Sequence, residues 1–115
     1  MAKRIRLNKS DLNNIDIFVR TVEQQGIIVS KVILFGSHAK GKAGPDSDID
    51  IVVVSPQFGQ DITEEMMMLR KIAIKVDSHI EPVPLCPEDL DDNFSTLAQE
   101  IKRHGIDVAI TRKAV

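Results

Sequence analysis

Residues 36–54 read Gly-Ser-His-Ala-Lys-Gly-Lys-Ala-Gly-Pro-Asp-Ser-Asp-Ile-Asp-Ile-Val-Val-Val. Gly41, Gly44 and Pro45 break the chain before a run that begins at Ile49 and is apolar except at Asp50. A run of this kind, which ends at Val54, predicts a strand that is covered on both faces. The turn and this strand are therefore predicted to lie at the centre of the fold.

Upstream of this centre, the sequence predicts a helix and a first strand. Apolar residues at spacings of three and four indicate an amphipathic helix over residues 10–25, with Ser10 as its N-cap and Gly26 as its stop. β-Branched residues then predict a strand within residues 27–35, centred on residues 32–35.

Downstream, the pattern predicts a second amphipathic helix. Asp61 and Glu64 have the spacing of a capping box, and the helix that they begin should run to about Lys75. We expect Met67, Ile74 and their neighbours to lie on its buried side.

The last third of the chain predicts two more strands and one more helix. A strand over residues 78–85 should lie at a sheet edge or a strand end, because Pro82 and Pro84 cannot donate ladder hydrogen bonds. A short strand is predicted around residues 106–110. The helix between them should end near Gly105, and three apolar residues mark it: Phe94, Leu97 and Ile101. This order of elements predicts an α/β (α+β) fold, a small mixed β-sheet flanked by helices.

The composition narrows the class of protein. With 115 residues, of which 43% are hydrophobic, residues 1–115 are predicted to form one domain, with residues 1–9 as a basic arm. The net charge of −2 and the lack of Trp and Tyr argue against a general nucleic-acid binder. The single cysteine, Cys86, fits a reducing compartment, and no stretch has the pattern of a secretion signal or a membrane span. We therefore expect a cytoplasmic protein.

Asp48 and Asp50 are candidate metal ligands. Because successive strand side chains point to opposite faces, these two carboxylates should project to the same side, roughly 6–7 Å apart along the strand. Their oxygens suit Mg²⁺ or Mn²⁺, and a cation would relieve the repulsion between the two charges. The alternative is that Asp46, Ser47 and Asp48 cap a turn and that Asp50 is a solvated strand residue.

Gly36 and Ser37 form a candidate phosphate site, because they stand where a strand gives way to a short helical turn. Backbone N–H groups and the Ser37 hydroxyl can hold a phosphate oxygen there, and Gly36 lets a ligand approach the main chain. An ordinary turn is the alternative. Residues 36–42 also match most of a P-loop. We reject a true P-loop because Ala43 lacks the hydroxyl that would bind Mg²⁺, and because the Gly-Pro pair after it would disrupt the helix.

Taken together, these motifs resemble a known signature. The combination of Gly36-Ser37, Gly41 and Ser47-Asp48-Ile49-Asp50 with a following apolar strand is similar to that of the DNA polymerase β-type nucleotidyltransferase superfamily. In size, the chain resembles the minimal nucleotidyltransferases of that group, often called MNT proteins.

The resemblance implies a nucleotidyltransferase fold and a specific set of site residues. A third carboxylate comes from a neighbouring strand in that superfamily, and Glu81 is the best match. The implied catalytic residues and ligands of Mg²⁺ or Mn²⁺ are Asp48, Asp50 and Glu81. The implied nucleotide contacts are Gly36, Ser37, Lys40 and Ser47. His38 and His79 are interpreted as solvated or packed, and of the two His79 has the strand parity of Glu81.

The resemblance also implies a function. It predicts an Mg²⁺-dependent nucleotidyltransferase that moves a nucleoside monophosphate, AMP from ATP being favoured, onto a hydroxyl of a partner protein. In minimal members the partner is frequently a helical HEPN protein, and the pair acts as toxin and antitoxin. Two alternatives stay open: a non-catalytic module that neutralises its partner by binding, and a transferase for a small molecule such as an antibiotic. An edge strand makes a homo-oligomer a further possibility.

Overall fold

The computed structural model describes residues 7–44 and 46–108, and within them a four-stranded mixed sheet carries helices on both faces. The predicted fold class is therefore confirmed. In chain order the elements are α1 (Lys9–Gln24), β1 (Lys31–Phe35), α2 (Gly36–Lys40), β2 (Ile49–Val54), α3 (Ile62–Val76), β3 (Ile80–Leu85), a 3₁₀ helix (Pro87–Asp91), α4 (Thr96–His104) and β4 (Ile106–Asp107).

The strands are ordered β3-β2-β1-β4, and their directions bring three strand ends together. β1 and β2 are antiparallel, with Phe35 opposite Asp50. β2 and β3 are parallel, with Asp50 opposite Glu81, and α3 makes the long crossover that a parallel pair requires. The end of β1 therefore lies beside the starts of β2 and β3.

The larger part of the core lies on one face of the sheet, under α1 and α3. This face buries every second side chain of the central strands, such as Leu34 on β1 and Ile51 on β2. The helical residues Phe18 and Leu69 are fully buried against Leu34 and Ile51. Burial of each such side chain contributes about 1.5–3 kcal/mol.

A smaller apolar cluster lies on the opposite face, under α4 and the 3₁₀ helix. Its buried members are Ile33, Phe35, Val52, Val54 and Ile101. β2 is thus covered on both faces, as its apolar run predicts. Asp50 is the member of β2 that is not fully buried.

β3 lies at the sheet edge, as its prolines predict. The carbonyls of His79 and Leu85 accept hydrogen bonds from the β2 side, from the N–H groups of Ile49 and Ser55. Because hydrogen-bonding groups alternate along a strand, Pro82 and Pro84 have their nitrogens on the outer side. The missing N–H groups therefore cost the sheet no ladder bonds.

The helix starts differ in detail from the sequence predictions. Ser10 is not the N-cap of α1, because the Asn8 side chain accepts the hydrogen bond from Asp11 N at 2.7 Å. Asp61 does cap α3, accepting from Glu64 N at 3.1 Å. The reciprocal bond comes from Glu65 and not from Glu64, since Asp61 N donates to Glu65 Oε2 at 3.1 Å.

Two predictions about apolar residues were wrong. Met67 and Ile74 are 51% and 70% exposed, because Leu69 and Ala73 form the buried stripe of α3. Phe94 is 97% exposed and precedes α4, whose N-cap is Ser95. The helical spacing of apolar residues was thus not enough to identify which side chains are buried.

The remaining boundaries are close to those predicted. Residues 27–30 lie outside β1, whereas the predicted centre, residues 32–35, is within it. The predicted last strand is confirmed at Ile106–Asp107, and its residues 109–110 lie outside the described part of the chain, as do residues 1–6 of the predicted arm. Among the described residues, no helix combines the length and apolar character that a membrane span needs.

Candidate active site

Asp50 and Glu81 lie side by side on β2 and β3, at the end of the sheet where β1 terminates. They are register partners in the parallel pair. Their parity is that of Val52 and Val83, which belong to the cluster under α4. Both carboxylates therefore face the α4 side of the sheet, in the row that continues to Phe35 on β1.

Asp48 precedes β2 and is exposed. The residue between the two aspartates, Ile49, is buried in the opposite cluster under α1 and α3. Asp48 itself lies outside β2, so its projection to the side of Asp50 stays a prediction. Asp48 is also close enough for its charge to act on Asp50.

The environment of Asp50 is electronegative. Burial raises the pKa of Asp50 above its ordinary value, and the nearby negative charges of Glu81, Asp48 and Glu100 raise it further. The charge of His38 acts in the opposite direction. A half-buried carboxylate with three acidic neighbours is a position where a bound cation would be strongly favoured.

The donor chemistry of this cluster fits a magnesium or manganese ion, because such ions prefer carboxylate oxygens. In residues 7–44 and 46–108, however, no three His, Cys, Asp or Glu side chains are already arranged as a metal-binding group. Glu81 is directed in part toward α3, where its Oε2 lies 3.5 Å from Arg70 Nη2. The three-ligand site of Asp48, Asp50 and Glu81 therefore stays a prediction.

Gly36 connects the candidate phosphate turn to the carboxylates. It follows the last residue of β1 and begins α2 with a φ of +72°, a conformation that favours glycine. A Cβ atom at Gly36 would overlap Asp50 Oδ2 and lie 3.1 Å from Asp50 Cγ. The close approach that Gly36 permits is thus an approach by Asp50, which packs directly against the turn.

Ser47 and His38 shape the loop that leads to Asp48. Ser47 Oγ accepts a hydrogen bond from Gly44 N at 2.9 Å, and Ser47 N donates to Gly44 O at 3.2 Å. His38 is only 8% exposed, and its Nε2 lies 3.5 Å from Ser47 O. His38 is therefore packed, as one interpretation of the sequence had it, but it is packed beside the candidate site.

Other candidates lie in unexpected surroundings. Lys40 Nζ forms an ion pair with Glu100 Oε1 at 2.7 Å, which links α2 to α4. His79 contacts Asp77, since its Nδ1 lies 3.1 Å from Asp77 Oδ1. Sequence reasoning missed Glu100, because a glutamate on an amphipathic helix gives no local sign of a contact 60 residues away.

Comparison with known proteins gives one family and one curated relative. The family model described as "Nucleotidyltransferase domain" matches residues 15–110. The "Putative protein adenylyltransferase MJ1305" of Methanocaldococcus jannaschii is 31% identical over 90 residues, which are 73% of this chain and 61% of that protein. The chain thus spans about three-fifths of the length of this curated relative.

Two solved structures share the fold. One is described as a "putative nucleotidyltransferase" from Sulfolobus solfataricus, with a TM-score of 0.62, 18% identity and coverage of 90% of both chains. The other is a toxin–antitoxin structure with AMP-PNP, with a TM-score of 0.56, 24% identity and coverage of 81% of this chain and 71% of the other.

Proposed function

Because the chain belongs to the nucleotidyltransferase domain family, we propose that it transfers a nucleoside monophosphate, and specifically AMP from ATP, to a hydroxyl group of a partner protein. The observation that carries this proposal is the pairing of Asp50 with Glu81 beside Asp48 and against the Gly36 turn. The name of the curated relative, a protein adenylyltransferase, supports AMP as the group and a protein as the acceptor.

In this proposal, Asp48, Asp50 and Glu81 hold Mg²⁺, with Mn²⁺ as a substitute. When bound, such an ion neutralises negative charge on the phosphates and makes pyrophosphate a better leaving group. The electronegative surroundings of Asp50 support this assignment. Gly36 and Ser37 hold the distal phosphates, and Ser47 fixes the loop before Asp48.

Glu81 is proposed as the general base. The acceptor oxygen forms a bond to the α-phosphorus of ATP, while the bond between that phosphorus and the bridging oxygen to the β-phosphate breaks. The proton of the acceptor hydroxyl passes to a Glu81 carboxylate oxygen, and pyrophosphate leaves. Glu81 is partly exposed on an edge strand, which leaves room for an acceptor to approach.

The proposed partner is a helical HEPN-type protein, so that the pair acts as toxin and antitoxin. The support is the fold shared with a toxin–antitoxin structure that contains AMP-PNP. A cytoplasmic location belongs to the same proposal and rests on the single cysteine, Cys86, which fits a reducing compartment.

The test is intact-mass spectrometry of a HEPN-type protein after incubation with the chain, ATP and Mg²⁺. The wild-type chain should add the mass of one AMP group to the partner, and the variant with both Asp48→Asn and Asp50→Asn should not. Asp91→Asn, which removes an exposed carboxylate of the 3₁₀ helix, is the matched control and should modify the partner normally. An unmodified partner with the wild type, or a modified one with the double variant, would contradict the proposal.

A second candidate function is neutralisation of the partner by binding alone. The ion pair of Glu81 with Arg70 favours this candidate, because it commits the proposed base to a structural contact. Neutralisation that survives in the double aspartate variant while AMP transfer is absent would support binding. A mass increase on a small-molecule acceptor such as an antibiotic, with none on the protein, would identify the third alternative.

A further inference from the structure

The ion pair of Lys40 and Glu100 lies beside the candidate nucleotide site. Lys40 ends α2, the short helix that begins at Gly36, and Glu100 lies on α4. The atoms Nζ and Oε1 are 2.7 Å apart, and each side chain is 32% exposed. The pair borders a polar cleft of about 250 Å³, which is lined by Lys40, Thr96, Gln99, Glu100, Arg103 and His104.

The Glu100 carboxylate of this pair also lies near the candidate metal ligands. Glu100 is near enough to Asp50 for its charge to act on that carboxylate. It therefore adds a fourth negative charge to a region that already contains Asp48, Asp50 and Glu81. Glu100 would repel a triphosphate that enters this region, and the ammonium group of Lys40 is already paired with Glu100.

We propose that Glu100 is a positioning residue that competes with the triphosphate for Lys40 and thereby sets the affinity for the nucleotide. This inference rests on the proposed function, since it requires a nucleotide at the Gly36–Ser37 turn. In the free protein Lys40 donates to Glu100. When a nucleotide binds, the ammonium group turns from Glu100 to a phosphate oxygen, a shift that a long lysine side chain can make without movement of α2.

The competition predicts opposite effects for the two partners. Glu100→Gln should free Lys40 and tighten nucleotide binding about two- to fivefold, the range expected for a partly exposed ion pair. Lys40→Met should weaken binding about tenfold, because a charge-assisted contact to phosphate is lost. In the Lys40→Met background, Glu100→Gln should change the affinity by less than about twofold.

The experiment is a double-variant cycle measured by isothermal titration calorimetry. The probe is α,β-methylene-ATP at saturating Mg²⁺, because this analogue cannot transfer its AMP group. The control is Asp91→Asn, which removes a carboxylate from the same face of the protein and should leave the affinity unchanged. Circular dichroism melts check that each variant is folded, and Glu100→Ala replaces Glu100→Gln if the latter is not.

Steady-state kinetics gives a second readout, which distinguishes the proposed role of Glu100 from a purely structural one. Glu100→Gln should lower KM for ATP while kcat stays the same. An affinity that is unchanged by Glu100→Gln, or one that rises equally in both backgrounds, would overturn the inference and leave the proposed function intact. Failure of the wild-type chain to bind the analogue would overturn both.

Discussion

Replacement of Gly36 by alanine should damage the fold and the candidate site together. Gly36 has a φ of +72°, and a left-handed conformation costs a residue with a Cβ about 1–2 kcal/mol. The new Cβ would overlap Asp50 Oδ2 and lie 3.1 Å from Asp50 Cγ, so the aspartate must leave its rotamer, at about 0.5–1.5 kcal/mol. Gly36→Ala should therefore lower the free energy of unfolding by about 1.5–3.5 kcal/mol.

Gly26 provides the matched control. Its φ is +86°, but a Cβ there meets no atom within 4 Å, so Gly26→Ala carries the backbone cost alone, about 1–2 kcal/mol. The two variants should thus differ by about 1 kcal/mol, the contribution of the Asp50 contact. Urea unfolding followed by circular dichroism measures both, because the chain has no Trp or Tyr for fluorescence.

A second assay separates the site from the fold. Electron paramagnetic resonance of Mn²⁺ should show weaker binding by Gly36→Ala, because Asp50 is displaced, and normal binding by Gly26→Ala. Equal unfolding free energies for the two variants, combined with unchanged Mn²⁺ binding, would refute the reasoning that Gly36 positions Asp50.

Three further predictions concern charge, capping and the sheet edge. Asp50→Asn should reduce AMP transfer at least about a hundredfold. The same change should raise Tm at pH 7, because the raised pKa of Asp50 makes wild-type stability fall as the pH rises above 3.8, the ordinary pKa of an aspartate. Thermal melts at lower pH should show a smaller gain in Tm. Asp61→Ala should cost about 1 kcal/mol in urea unfolding through loss of the α3 N-cap, and an unchanged midpoint would contradict this. Pro84→Val should create an outward-facing N–H on the edge strand and thereby increase self-association. Sedimentation velocity measures this, and a sedimentation coefficient equal to that of the wild type would show that the proline does not protect the edge.

The centre of the fold could be predicted because its information is local. The apolar run of β2 and the glycine after β1 determine strand, turn and side-chain alternation over fewer than 20 residues. The same alternation predicted that Asp48 and Asp50 project to one side. Glu81 was assigned only through the family resemblance, and its place opposite Asp50 depends on the pairing of β2 with β3, which local alternation does not determine.

The errors lie where tertiary packing selects among local options. α3 has apolar residues around most of its circumference, so the sequence could not show that Leu69 and Ala73, and not Met67 and Ile74, would face the sheet. Asn8 and Ser10 are both good N-cap residues, and the observed N-cap, Asn8, lies two residues before the predicted one, Ser10. In such cases propensities differ by less than the packing energy that decides between them.

The position of Asp50 is itself an argument for function. Every other residue of β2 is buried and apolar, so a valine or isoleucine at position 50 would suit the strand better. The chain instead has a carboxylate there, close to Glu81, Asp48 and Glu100, and a glycine in a left-handed conformation that makes room for it. The partial burial of this carboxylate and its acidic neighbours lower stability in the absence of a ligand. Their concentration at one end of the sheet is explained if a cation and a phosphate bind there, since such a ligand would offset the repulsion that the folded chain otherwise bears.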